Sequence, residues 1–265
     1  MLMKKVFILT VLFYAAACSV TKHNSTTHFA NNPVIAHRGA YRQNGFPENS
    51  IASLQQAIKL NCAGSEFDVW MTDDDSLVIH HDPAYNNLEI EKTGFDELRK
   101  YLLSNNELLP SLREYLLAGK QNNSATRLIL EIKPSRISKE RGRLVADKVI
   151  TLVRQLDCSN LMVYISFDYA ILKRIHQLEP NAITQYLNGD KAPGVLKADG
   201  ISGLDYHYTV FKKNPEWIQQ GKNNKLQLNA WTVDDSTDMR WLLDNHFDFI
   251  TTNQPELLFN ILKNR

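Results

Sequence analysis

The sequence predicts an α/β protein of one domain, a closed (β/α)8 barrel, and three observations predict it. Eight short apolar runs, starting near Val34, Ser65, Leu128, Leu161, Ile183, Gly200, Leu226 and Phe249, are separated mostly by stretches with helical spacing. Strands alternating with helices imply parallel pairing, and eight of them favour closure over an open sheet. The length of 265 residues suits a single barrel, because such barrels run to about 250 residues as one domain. No GxGxxG occurs anywhere in the chain, which removes the usual support for a dinucleotide-binding sheet.

The N-terminus stands outside this pattern. Lys4 and Lys5 precede an apolar run, Val6 to Ala17, that is too short to span a bilayer but suits the core of an export signal. Ala15, Ala16 and Ala17 then lead into Cys18. The expectation is a bacterial lipoprotein-type signal over residues 1–17, with Cys18 lipidated and the protein anchored to the cell envelope. The alternative is an ordinary signal peptide cleaved near Ala17. Ser19 to Asn32 is polar and without apolar periodicity, so residues 18–32 read as lipidated cysteine and tether, and residues 33–262 as the barrel domain. Export permits disulfides, but the spacing of Cys62 and Cys158 leaves their pairing open.

Each element follows from its local pattern. Val34 to Ala36 reads as the first strand, and Ser50 to Leu60 as a helix with Ile51, Leu54 and Ile58 on one face. The run from Ser65 is the second strand. An irregular region, Pro83 to Gly119, contains helical stretches at Phe95 to Leu103 and Leu112 to Ala118. Alternation then becomes regular. Strands are expected at Leu128 to Ile132, Leu161 to Ser166, Ile183 to Leu187, Gly200 to Ser202, Leu226 to Trp231 and Phe249 to Thr252. Helices are expected at Arg141 to Leu156, Tyr169 to Leu178, Pro215 to Gln220, Thr237 to Leu243 and Pro255 to Lys263.

A barrel concentrates chemistry at the C-terminal ends of its strands. His37 and Arg38 end the first expected strand, Glu66 and Asp68 lie in the second, Glu131 and Lys133 close the third, Trp231 closes the seventh and Asn253 follows the eighth. Within GSEFDVWM the strand's period of two sends Glu66 and Asp68 to one face and Phe67 and Val69 to the other. Two carboxylates side by side in a buried strand repel each other and lose hydration, and a bound cation is the usual remedy. After the turn TDDDS, the run Leu77 to Ile79 reads as an extension folding back beside this strand, bringing His80, His81 and Asp82 toward the acids. With 30 basic and 29 acidic residues, the chain has no global charge to steer nucleic acid, so any affinity for an anion comes from a local pocket.

The segments IAHRGAYRQNGFPENSIASLQQAI, SEFDVWMTDDDSLVIHHD, LILEIKP, ISFDYAILKRI, LNAWTVDD and ITTNQPELL, in that order, resemble the motifs of the glycerophosphodiester phosphodiesterase family, a TIM-barrel family, over about residues 33–262. The resemblance implies His37 and His81 as general acid and base and Arg38 as the phosphate-holding arginine. It also implies Glu66, Asp68 and Glu131 as ligands of a divalent cation, Lys133 near the substrate phosphate, and Glu48 as support from close by. The implied reaction is metal-dependent cleavage of a glycerophosphodiester to sn-glycerol 3-phosphate and an alcohol. Related possibilities are a barrel phosphodiesterase acting on intact phospholipids and a surface lipoprotein that binds glycerophosphodiesters without turnover.

The chemistry of these residue types agrees. Oxygen-only ligands suit a hard ion such as Mg²⁺ or Ca²⁺. Arginine can make two parallel hydrogen bonds to phosphate, and imidazoles exchange protons near neutral pH. Either water or the neighbouring glycerol hydroxyl can serve as the attacking oxygen. Trp231 is expected to support the site from a strand end, His80 to be structural, and His207 with Tyr206 and Tyr208 to lie outside it. Two departures from the family pattern concern the pocket mouth. Thr252-Asn253 stands where the family often has Thr-Asp, and DPAYNNLEIEKTG replaces a loop frequently rich in threonine and glycine.

Overall fold

The computed structural model describes residues 29–265; the expected signal, Cys18 and most of the tether lie outside the described residues. Eight parallel strands close into a barrel: β1 Val34–Ala36, β2 Gly64–Met71, β3 Arg127–Ile132, β4 Met162–Ser166, β5 Thr184–Tyr186, β6 Gly203–His207, β7 Gln227–Trp231 and β8 Phe249–Thr252. Closure comes from β1, which pairs with β8 (Val34 beside Ile250) and with β2 (Ile35 beside Gly64). The expected (β/α)8 architecture is therefore observed.

Alternation along the strands separates two cores. Phe67, Leu130, Tyr164, Leu204 and Leu228 face outward and are sealed by the surrounding helices. Ile35, Ala63, Ile129, Val163, Ile165 and Leu187 form a separate apolar plug. Gly64 leaves room for that plug, since a Cβ there would come within 2.6 Å of Ile129 Cδ1 and push the isoleucine ends aside. Parallel strands buried on both faces leave inward polar residues only where they pair or serve the site. Gln185 donates to Gln227 at 2.8 Å, and Asn229 donates to Thr251 at 3.1 Å.

The segment after β2 departs from the simple repeat. Leu77–Ile79 pairs antiparallel with the end of β2, as the turn TDDDS implied. Residues 83–110 then cap this edge with a small core of Trp70, Val78, Tyr85, Ile90, Leu98 and Leu109. Two carboxylates fasten the insertion. Glu107 accepts from the free amides of Ile51 and Ala52 at a helix start, where an anion is favoured, and Glu91 accepts from Ser135 Oγ and the Arg136 amide.

Three boundaries differ from the sequence expectation. The strand expected at Gly200 to Ser202 begins instead at Gly203, because Gly200 (φ +78°) closes an unforeseen helix, Pro193–Ala198, its amide donating to Lys197 O and the Ile201 amide to Leu196 O. The helix expected to reach Leu103 stops at Leu98, as Leu102 bridges Leu108 around a turn at Asn106 (φ +66°). Packing also starts ahead of Pro33. The Phe29 ring lies 3.9 Å from the Arg127 guanidinium, and the Ala30 amide donates to Ala125. Cys62 and Cys158 are both buried and free.

Candidate active site

The turn leaving β1 builds one wall of the site. The His37 amide extends the ladder to Thr252 O, after which Arg38 (φ +53°) and Gly39 (φ +80°) take left-handed conformations. This reversal aims the Arg38 amide at Glu66 Oε2, 2.8 Å away. Glycine is needed next, because a Cβ on residue 39 would lie 2.6 Å from the Ser53 carbonyl carbon. Gly39→Ala is expected to lower stability by about 2 kcal/mol or more, read as the urea midpoint of the purified protein; an unchanged midpoint would contradict the close packing of this turn.

The two histidines occupy different surroundings. His37 Nδ1 contacts Asn253 Oδ1 at 2.8 Å, and Tyr41 donates to the same oxygen. Asn253 cannot turn round, since its Nδ2 and backbone amide both donate to the Asp234 carboxylate at 2.8 Å. The amide oxygen therefore faces the ring and assigns the proton to Nδ1. That leaves a lone pair on Nε2, 3.9 Å from Glu66 Oε2. Burial first, and then the Arg38 charge, push the His37 imidazolium down to about 4, so the ring is neutral near pH 7. His81 sits at the mouth with Nδ1 against Asp82 Oδ1 at 2.8 Å. Trp70 Nε1 holds its carbonyl at 3.1 Å, which ties His81 to the end of β2.

Glu66 and Asp68 share a face, as the alternation along β2 implied, and Glu131 of β3 joins them as the resemblance implied, each offering an oxygen within 4.8 Å of the others. They are 3%, 1% and 7% exposed. Asn49 fixes Asp68 from both sides, donating to its carboxylate at 2.8 Å and accepting from its amide at 3.2 Å. The Lys133 ammonium lies 2.7 Å from Asp68 Oδ1 and 2.9 Å from Glu131 Oε1. Burial pushes the Asp68 carboxyl upward, but Lys133 and the other positive groups prevail and hold it down to about 2. Burial, and then the charge of Asp68, push Glu131 up to about 8. Glu66 is driven well above its ordinary range by burial and by both neighbouring acids. Neither Asp68 Oδ1 nor Glu131 Oε1 receives a well-directed hydrogen bond, although Lys133 is near both. An oxygen-only set with excess negative charge and two under-satisfied buried atoms fits a hard divalent cation.

Arg38 crosses above this cluster. Its Nη1 donates to both Glu48 oxygens at 2.8 and 2.9 Å, while Nε, 3.8 Å from Asp68 Oδ2, has no hydrogen-bond partner. The groups meet in a cavity of about 110 Å³ lined by polar residues (His37, Arg38, Glu66, Glu131, Lys133) and by the apolar side chains of Ile165, Phe167, Leu187 and Trp231, with His81 also lining it. Trp231 Nε1 donates to Asp205 O at 2.8 Å, and its ring meets Phe167 edge to face at 5.5 Å. A larger hollow of about 620 Å³, lined by Phe29, Arg127 and Phe249 among others, contains none of the site residues.

Every residue singled out in the sequence is in or beside the one cavity: His37, Arg38, Glu66, His81, Glu131, Lys133 and Trp231 line it, Asp68 lies among the charged groups and Glu48 holds Arg38. His80 is structural, contacting Ala84 O and the Tyr85 ring. His207 packs on Trp231 and accepts from the Thr209 amide. Asn49, Asp234, Phe167 and Asp205 were not foreseen. Asn49 in the PEN motif, Phe167 in ISFDYAILKRI and Asp234 in LNAWTVDD lay in segments that carry the resemblance, whereas Asp205 lay in none.

Comparison with known proteins places the chain. Residues 37–257 match the model of the glycerophosphoryl diester phosphodiesterase family. A glycerophosphodiester phosphodiesterase of Caldanaerobacter subterraneus subsp. tengcongensis is 27% identical over 247 residues, covering 87% of this chain and 97% of that relative. The crystal structure of a glycerophosphodiester phosphodiesterase from Parabacteroides distasonis is 39% identical with a TM-score of 0.86, covering 89% of this chain and 99% of the other. An Oleispira antarctica phosphodiesterase, solved in complex with sn-glycerol-3-phosphate, shares the fold at 23% identity and a TM-score of 0.73, over 88% of this chain and 97% of the other. With a family match spanning both histidines, all three clustered carboxylates and the arginine beside them, the chain belongs to the glycerophosphoryl diester phosphodiesterase family.

Proposed function

We propose that this protein is a metal-dependent hydrolase that cleaves glycerophosphodiesters to sn-glycerol 3-phosphate and an alcohol. The observation that carries the reading is the meeting of Glu66, Asp68 and Glu131, within 4.8 Å of one another, at the cavity that Glu66 and Glu131 line with His37 and Arg38. These carboxylates are the residues that would hold the cation, Mg²⁺ or Ca²⁺. A cation bound there polarises the phosphoryl group and offsets the charge that gathers on its oxygens.

The chain's own groups supply the rest. Arg38 turns its unpartnered Nε toward the phosphate, and Glu48 keeps the guanidinium in place. Lys133 adds a second positive charge beside it. His37, neutral with a free Nε2, takes the proton from the attacking oxygen, whether water or a glycerol hydroxyl. His81 gives a proton to the departing alcohol oxygen. Burial keeps bulk water from diluting these charges.

The test is release of sn-glycerol 3-phosphate from glycerophosphocholine, glycerophosphoethanolamine and glycerophosphoinositol, with chelator and then with added Mg²⁺ or Ca²⁺. Release is expected to stop in chelator and to return with metal. Full release in excess chelator rejects the cation. Preferential cleavage of phosphatidylcholine in vesicles would favour the phospholipid-directed reading. Tight binding without product would leave a binding protein.

We also propose that residues 1–17 direct export and that Cys18 carries a lipid anchoring the barrel to the envelope. The run of small residues before Cys18 supports this reading. Cys18→Ala is expected to move the protein from the membrane fraction to the soluble one, with specific activity unchanged; retention in the membrane fraction would remove the lipid anchor.

A further inference from the structure

Strand β6 carries one acid that the proposed chemistry does not use. Along GLDYH, Leu204 and Tyr206 pack outward, and Asp205 turns into the cavity. Asp205 is 2% exposed, and its Oδ1 has no hydrogen-bond partner. Its carbonyl is taken by the Trp231 indole, and the Asn229 amide reaches its side chain. Asn229 and Thr251 satisfy each other next door. A buried carboxyl with an idle oxygen is unfavourable unless something it contacts makes up the loss.

Its position selects the kind of group it meets. Asp205 lines the same 110 Å³ cavity as Glu131 and Lys133 and shares it with the apolar side chains of Ile165, Leu187 and Trp231. Asp205 is neither a cation nor a member of the carboxylate cluster, so the phosphate belongs with Arg38 and Lys133 rather than with this acid. A chain of CH₂ groups suits the apolar side chains, and a neutral hydroxyl, both donor and acceptor, suits Oδ1.

Resting on the proposed function, we infer that Asp205 is a specificity-determining residue that hydrogen-bonds the terminal hydroxyl of the glycerol moiety, the one farther from the phosphate. The enzyme then recognises a polyol diester by a buried contact apart from its phosphate-binding groups. A site built to bond a hydroxyl rejects the analogue lacking it more strongly than an apolar pocket rejects a size change.

The test compares glycerophosphocholine with the phosphocholine diester of propane-1,2-diol, in which a methyl group replaces the terminal CH₂OH. The wild type is expected to favour the glycerol diester at least about tenfold in kcat/KM. Asp205→Leu is expected to lower kcat/KM for glycerophosphocholine about tenfold, to leave the deoxy diester within about threefold, and so to collapse the preference. Asp205→Asn, which keeps a donor and an acceptor, should retain most of it. If Asp205→Leu does not fold by circular dichroism, Asp205→Ala takes its place. An unchanged preference, or equal losses on both substrates, overturns the inference. Binding of sn-glycerol 3-phosphate against propane-1,2-diol 1-phosphate, by calorimetry, gives the same comparison without turnover. If the wild type cleaves neither diester, the proposed reaction fails, and this binding pair alone decides the role of Asp205.

Discussion

His37→Ala is expected to lower kcat on glycerophosphocholine at least about a hundredfold while leaving the fold intact, since a positioned proton acceptor contributes about 10² to 10⁴ in rate. The ring's only strong bond is to Asn253, so its removal opens no charged gap in the barrel. His81→Ala should fall comparably on the same substrate. The two variants should part on a glycerol diester of p-nitrophenol. That leaving group departs without a proton, so His81→Ala should recover most of its rate and His37→Ala should recover little. Recovery by His37→Ala instead would exchange the two roles, and near-wild-type turnover by either variant on glycerophosphocholine would remove that residue from proton transfer.

How much of this site was legible in the sequence follows from the range of the forces that build it. Glu66 and Asp68 could be placed on a shared face because a strand's period is a property of the strand alone. His81 could be brought to them because the turn before Leu77 is local. Asn253 was visible as a polar residue after the eighth strand and as a departure from the family pattern. Its hold on His37 spans 216 positions and depends on Asp234 fixing the amide, which no local signal encodes. Asp205 was hidden for another reason. A weak apolar run suggested a strand at Gly200 to Ser202, whereas Gly200 ends a helix and the strand starts three residues later. Which side chains of β6 face inward depends on that register, so the acid at its centre could not be assigned. Pairing of Lys133 with both Asp68 and Glu131 likewise required β2 and β3 to be in register, Asp68 beside Glu131.

Glu66→Gln is expected to abolish most turnover and, in chelator, to make the protein more stable at pH 8 than the wild type. Loss of one carboxylate from the cluster should weaken cation binding by at least about a hundredfold and turnover by a similar factor. The stability effect has the opposite sign because the cluster is over-charged when no cation is bound. Burial and the neighbouring acids raise Glu66 well above 4.5, and Glu131 is pushed up to about 8. In the unfolded chain both lose their protons near 4.5. Between that pH and the folded values these two acids hold protons in the native state that they have lost in the unfolded one, which lowers stability as pH rises; His37, held down to about 4, acts the other way only below 6.5 and is one group against two. The chelated wild type should therefore have a lower Tm at pH 8 than at pH 5.5, and Mg²⁺ or Ca²⁺ should raise Tm more at pH 8, where fewer protons compete for the ligands. Glutamine at residue 66 removes a charge that high pH forces into the barrel, so the variant should show a flatter pH profile and little response to cation. Lys133 sets the limit on this effect, because its ammonium already balances part of the cluster. A chelated wild type whose Tm does not fall between pH 5.5 and 8 would mean that Lys133 and Arg38 suffice. Wild-type turnover and a wild-type cation response in Glu66→Gln would remove Glu66 from the metal ligands altogether.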